Sequence, residues 1–128
     1  MNRNEILEQL RQFPYDPAQY WIITGAAMVI YGLREQTHDI DMGCSKEMAD
    51  LLERNGHLHK TSPDGRRSFR YGELIEVFEG WICDEPVEIE GYQVISLKGL
   101  LEMKRGLGRE KDQRDIRLIE EYMKENEV

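Results

Sequence analysis

Residues 24–41 read Thr24-Gly25-Ala26-Ala27-Met28-Val29-Ile30-Tyr31-Gly32-Leu33-Arg34-Glu35-Gln36-Thr37-His38-Asp39-Ile40-Asp41. Just upstream, Tyr20 to Thr24 is a short apolar run of β-formers, which predicts a buried strand. Gly25 punctuates it. Ala26 to Tyr31 then predicts a short buried helix ended by Gly32. A polar loop, Leu33 to His38, leads into Asp39-Ile40-Asp41-Met42-Gly43, where polar and apolar residues alternate as on a strand.

The two carboxylates of that strand are the candidate chemistry. Residues two apart on a strand point to the same side, so Asp39 and Asp41 are expected together, roughly 6–7 Å apart at their α-carbons. Like charges held that close repel unless something neutralises them. Mg²⁺ or Mn²⁺ suits the task, because a hard cation takes carboxylate oxygens and leaves positions for phosphates. Two such ions about 3.5–4 Å apart hold the attacking and leaving oxygens of an in-line displacement. Alone, Asp-x-Asp reads more simply as two solvated carboxylates on an edge strand. The upstream turn changes the balance: Gly25 allows close backbone approach, and the first-turn N–H groups of the helix after it, from Gly25 and Ala26, can hold phosphate oxygens.

The remaining segments predict a mixed sheet with helices around it, an α/β (α+β) fold in one domain spanning residues 1–128. Ile6, Leu7, Leu10 and Phe13 recur at helical spacing before Pro14 and Pro17. Ser45 is a candidate N-cap for a helix carrying Met48, Leu51 and Leu52 and closed by Asn55-Gly56. His57 to Thr61, Arg67 to Tyr71 and Leu74 to Phe78 read as strands, the first two joined through Pro63-Asp64-Gly65. Val87 to Ile95 reads as a strand or hairpin around Gly91. Ser96 caps a helix through Arg105, and Gly106-Leu107-Gly108 separates it from a last helix, Arg109 to Lys124.

A glycine at a strand–helix junction, then an acid-hydrophobic-acid strand with twelve residues between Ala26 and Asp39, resembles the signature of the nucleotidyltransferase superfamily. The stretch from Thr24 to Asp41 is most similar to small members related to AbiEii-type toxins of toxin–antitoxin systems, with Arg34 and Thr37 ahead of Asp-Ile-Asp. Ser96-Leu97-Lys98-Gly99-Leu100-Leu101-Glu102-Met103-Lys104 and Gly108-Arg109-Glu110-Lys111-Asp112 resemble that family's Lys-bearing helix and its Arg-x-Lys-Asp element. The resemblance implies transfer of a nucleoside monophosphate from an NTP to a hydroxyl of RNA, protein or a small molecule. It implies Asp39, Asp41 and a third carboxylate as catalytic metal ligands, and Gly25, Ala26, Arg34, Thr37, Lys104 and Lys111 as nucleotide-binding residues. It further implies an acceptor such as tRNA or protein, and a cognate antitoxin. Glu76 in Leu74-Ile75-Glu76-Val77-Phe78 best matches the third carboxylate, with Glu73 and Glu79 as rivals. Two positions depart from the pattern: Ala26 supplies no hydroxyl, and glutamate stands where the family usually has aspartate. Both favour the alternative of a catalytically inactive descendant serving as a binding or regulatory protein. An unrelated acidic α/β binding domain is the third reading.

Composition bounds these readings. The chain has 128 residues, 40% hydrophobic and 33% charged, as a soluble globular protein does. No apolar run approaches the roughly 18 residues of a membrane span, so no membrane is expected. The start, Met1-Asn2-Arg3-Asn4-Glu5, lacks the features of a signal peptide, and Cys44 and Cys83 form no disulfide framework; a reducing cytoplasm is expected. A net charge of −8 argues against generic nucleic-acid binding, although Lys60, Arg66, Arg67 and Arg70 form a local basic cluster. His57 and His59 would share a strand face, without a third ligand for zinc. Lys111–Asp115 and Glu110–Arg114 have i,i+4 spacing and read as ordinary helix pairs.

Overall fold

The sheet is mixed and seven-stranded, in the order β3-β4-β5-β2-β1-β7-β6. The computed structural model describes residues 1–81 and 85–126. Its strands are β1 (Tyr20–Ile23), β2 (Ile40–Cys44), β3 (His59–Thr61), β4 (Arg67–Tyr71), β5 (Ile75–Glu79), β6 (Val87–Ile89) and β7 (Tyr92–Val94). The helices are α1 (Arg3–Gln12), α2 (Thr24–Ile30), α3 (Lys46–Arg54), α4 (Leu97–Leu107) and α5 (Gln113–Glu125). The expected α/β content and order are all present. Cys83 lies outside the described residues.

Period-2 patterning decides which sheet face is core. Tyr20 and Ile22, Ile40, Met42 and Cys44, and Ile75 and Val77 are all buried on one side. β2 runs parallel to β5 and antiparallel to β1, so these rows lie side by side. Between them the opposite face presents Trp21, Asp41, Glu76 and Phe78, each only partly buried. α3 belongs to the core face, because Arg67 of β4 bonds both Glu79 of β5 (2.7 Å) and Asp50 of α3 (2.8 Å). Burial pushes the Cys44 thiol up to about 12, so it acts as a small core hydrophobe.

Caps set the helix boundaries. Ser45 accepts from the Met48 N–H and Ser96 from the Gly99 N–H, satisfying first-turn donors as expected. Gly108 closes α4 in the left-handed conformation (φ +60°). α4 therefore runs two residues beyond Arg105, and Gly106 and Leu107 do not break it. The turn at Glu90 (φ +55°) and Gly91 (φ +84°) joins β6 and β7 into the hairpin.

The expected basic cluster is largely neutralised. Arg67 is enclosed by Glu79 and Asp50, Arg66 pairs with Asp64 at 2.7 Å, and Arg70 approaches Glu76 at 4.0 Å. His57 lies outside β3 and its ring meets the Tyr15 hydroxyl at 2.8 Å; His59 meets Glu53 at 3.1 Å. The shared histidine face is not formed, because each imidazole has found its own partner. No helix among the described residues is long and apolar enough to cross a membrane.

Candidate active site

Asp41 is flanked by Ile23 on β1 and by Glu76 on β5, each directly opposite it in the ladder. Residues paired across a ladder project to the same side, so Glu76 and Asp41 share the less covered face. Asp39 is not on the strand, as alternation predicts, but in the bend one residue before β2 begins. It nevertheless remains close. Burial pushes the Asp41 carboxyl up, a hydrogen bond from Thr24 opposes that, and the charges of Asp39 and then Glu76 push it up further.

Thr24 is a site residue that sequence reasoning passed over. Its hydroxyl donates to Asp41 Oδ2 at 3.0 Å, from a backbone with φ +52°. A β-branched residue rarely adopts that conformation, which costs on the order of 1–3 kcal/mol and persists only when its surroundings impose it. A threonine ending a run of β-formers gives no sign of a left-handed backbone; only the turn itself does.

Gly25 has a steric reason in addition to the expected one. A β-carbon there would stand 2.7 Å from Thr37 Oγ1 and 2.9 Å from Arg34 Nη1. The space above this glycine is thus filled by two side chains of the loop between α2 and β2, both anticipated as nucleotide-binding residues. The loop is pinned from behind by a bond from the Thr37 N–H to the Met1 carbonyl at 3.0 Å. Ala26 is fully buried, and its methyl faces the core rather than the cleft.

The opposite wall comes from the C-terminal helices. Lys104 is 4% exposed, and its Nζ lies 3.1 Å from Asp115 and 3.3 Å from Asp112, both also buried. Arg34 reaches across to Asp115 at 2.5 Å, and Arg109 clasps Asp112 at 2.6 Å. Three cations face two carboxylates, leaving positive charge on this wall. The expected Lys111–Asp115 helix pair is not formed: Glu110–Asp112 is a 3-10 turn ahead of α5, and Asp115 turns inward instead. Lys111 is exposed at the cleft edge.

These residues surround a cleft of about 500 Å³, with Thr24, Gly25, Asp39 and Asp41 on one side and Lys104, Arg109 and Lys111 on the other. Arg34, Lys111 and Asp115 also border a second, adjoining cleft of about 810 Å³. Glu76 stands beside the first cleft with a 37% exposed side chain. Among the described residues no three His, Cys, Asp or Glu side chains are grouped closely enough to hold a metal ion, so Asp39, Asp41 and Glu76 are neighbours and not a formed cage. The donor set still fits a hard divalent cation: it is all oxygen, its charges repel one another, and Mg²⁺ typically takes one or two carboxylates and completes its shell with water and substrate phosphate.

This architecture has solved counterparts. The chain superposes with a TM-score of 0.61 on TM1012 from Thermotoga maritima, itself provisionally assigned as a nucleotidyltransferase, at 18% identity over 98% of this chain and 97% of that one. The fold is nucleotidyltransferase-like. A weaker likeness, with a TM-score of 0.48 and 17% identity, extends to ANT(2")-Ia in complex with adenylyl-2"-tobramycin, over 79% of this chain and 77% of that one. No protein-family model and no curated protein sequence matches the chain.

Proposed function

We propose that this protein is a metal-dependent nucleotidyltransferase that moves a nucleoside monophosphate from an NTP to a hydroxyl acceptor. The observation carrying the reading is the meeting of Asp41 with Glu76, Asp39 and Thr24 at a cleft whose far wall is cationic. Asp39 and Asp41 would hold Mg²⁺ or Mn²⁺, with Glu76 as third ligand or as base toward the acceptor hydroxyl. When bound, the cation offsets charge on the reacting phosphate and on the leaving pyrophosphate. Arg34 and Lys111 orient the triphosphate, Thr37 and the amide of Gly25 support it, and Lys104 fixes the wall on which Arg34 rests. Such chemistry depends on positioning and fixed charge more than on covalent steps by the protein.

The motif order from Thr24 to Asp41 and from Ser96 to Asp112 supports the finer reading of an AbiEii-like, toxin-type enzyme. That reading carries tRNA or protein as acceptor, a cognate antitoxin as partner, and a cytoplasmic setting. One observation favours a second reading, an inactive binding or regulatory protein of the same fold. Glu76 leans toward Arg70, and no three-ligand group is formed. Incubation with each α-labelled NTP, Mg²⁺, total tRNA and a protein extract separates the two: a labelled acceptor supports the enzyme, and NTP binding without any label supports the binding protein.

A further inference from the structure

The walls of the 500 Å³ cleft differ in kind. Besides its cations and carboxylates the cleft has an apolar part. Phe78 and Trp81 meet edge to face there, with ring centroids 5.3 Å apart at 70°. Leu107, at the end of α4 and one turn beyond Lys104, is 40% exposed and lines the same cleft. Exposure of a large apolar side chain and two half-buried aromatics in one concavity is a feature of ligand pockets.

This aromatic side is built rather than incidental. The Trp21 indole N–H donates to the Trp81 carbonyl at 3.0 Å, which fixes the backbone that carries the Trp81 ring. Trp21 can lie there only because residue 43 is glycine: a β-carbon on Gly43 would stand 2.3 Å from Trp21 Nε1. Phe78 is the ladder partner of Gly43, one same-face step from the Asp41–Glu76 pair, or about 6–7 Å along the strands. The rings are therefore held at a fixed offset from the carboxylates. A ligand that matches both walls has a planar aromatic end and a polyanionic end.

Building on the transferase reading above, we propose that Phe78, Trp81 and Leu107 form the subsite for the nucleobase of the donor NTP. The base stacks on the Trp81 side while the triphosphate points at Arg34 and Lys111. The adjoining 810 Å³ cleft, beyond Arg34 and lined by Leu33, Arg114 and Leu118, stays open for the acceptor. Stacking on an aromatic face tolerates any base, so recognition of the ring precedes recognition of its edge.

Calorimetric titration with ATP and with inorganic tripolyphosphate, Mg²⁺ in excess, tests the assignment on the full chain. Wild type is expected to bind ATP at least about tenfold more tightly than tripolyphosphate. Trp81→Leu should remove most of that margin with tripolyphosphate affinity unchanged, and Trp81→Phe should restore much of it. Leu107→Ser, at an exposed position that does not threaten folding, should lower ATP affinity alone by a few-fold. Equal affinity for the two ligands in wild type, or a margin untouched by Trp81→Leu and Leu107→Ser, would overturn the subsite and leave the transferase reading standing. Failure of both ligands to bind would overturn the two together.

Discussion

Arg34 and Asp115 are 81 residues apart in the chain and meet at 2.5 Å on the shared border of the two clefts. Asp115 also holds the buried Lys104, so the loop ahead of Asp39 is tied to α4 and α5 through one carboxylate. The contact places a guanidinium above Gly25 and fixes it there.

Removing the centre of this network should be costly. Lys104→Ala leaves Asp112 and Asp115 buried with one fewer cation, and is expected to destabilise the fold by about 3 kcal/mol or more. Asp115→Asn should cost less stability, yet raise KM for NTP by freeing Arg34. Urea denaturation and initial-rate kinetics read the two effects separately. Unchanged urea midpoints in Lys104→Ala would mean that the network does not hold the C-terminal helices.

Thr24 separates stability from function. Thr24→Gly relieves the left-handed strain but adds conformational freedom to the unfolded chain, two effects on the order of 1 kcal/mol that oppose one another. Its melting temperature should therefore stay near that of wild type, while transfer falls because Asp41 loses its hydrogen-bond donor. Thr24→Ser keeps the hydroxyl and should retain most activity. A Thr24→Gly protein as active as wild type would remove the Thr24–Asp41 bond from the working site.

Acid should weaken the fold through two carboxylates. Hydrogen bonds from Arg67 hold the Glu79 carboxyl below its usual range. Those from Arg109, with the charge of Lys104, do the same for Asp112. A group whose pKa is depressed in the folded state gives stability that is complete above its unfolded pKa, near 4, and is lost as pH falls through the folded value. These two groups therefore leave the urea midpoint flat from pH 7 to 5 and lower it below about pH 4. In Arg67→Met the overall stability should drop and the acid limb become shallower. An acid limb of undiminished slope in that variant would mean that Glu79 is not responsible for it.

Much of this was legible in residue order. Alternation of polar and apolar residues located β2 and β5, and the hydroxyls of Ser45 and Ser96 located two helix starts, because both signals are local. The Asp41–Glu76 neighbourhood was anticipated through the resemblance to nucleotidyltransferases, which implies a third carboxylate on a later strand. The Arg34–Asp115–Lys104 network was not legible: its members lie far apart in sequence, and the nearer i,i+4 partners offered a plausible local solution. Thr24 was hidden for another reason, since its conformation opposes its own propensity. Asp39 was placed on the strand because alternation continues through it, although pairing begins one residue later.

Ligand-linked stability tests the carboxylate pair without any acceptor. Mg²⁺ or Mn²⁺ with NTP at about a hundred times Kd should stabilise the protein by about 2.7 kcal/mol, or roughly 8–12 °C for a chain of this size. Asp41→Asn should lose most of that increase. An equal shift in Asp41→Asn would place the nucleotide elsewhere.

The decisive measurement is the rate at which label passes from an α-labelled NTP to its acceptor, compared between wild type, Asp41→Asn and Glu76→Gln. Label should accumulate only with divalent cation and fall at least about 10²-fold in Asp41→Asn, the scale on which loss of one group that stabilises transition-state charge is felt. Glu76→Gln should also be impaired if its carboxylate serves as third ligand or base. Transfer by Asp41→Asn at the wild-type rate, or NTP binding with no transfer by wild type to any acceptor, would contradict the enzyme and leave a nucleotide-binding protein of the same fold.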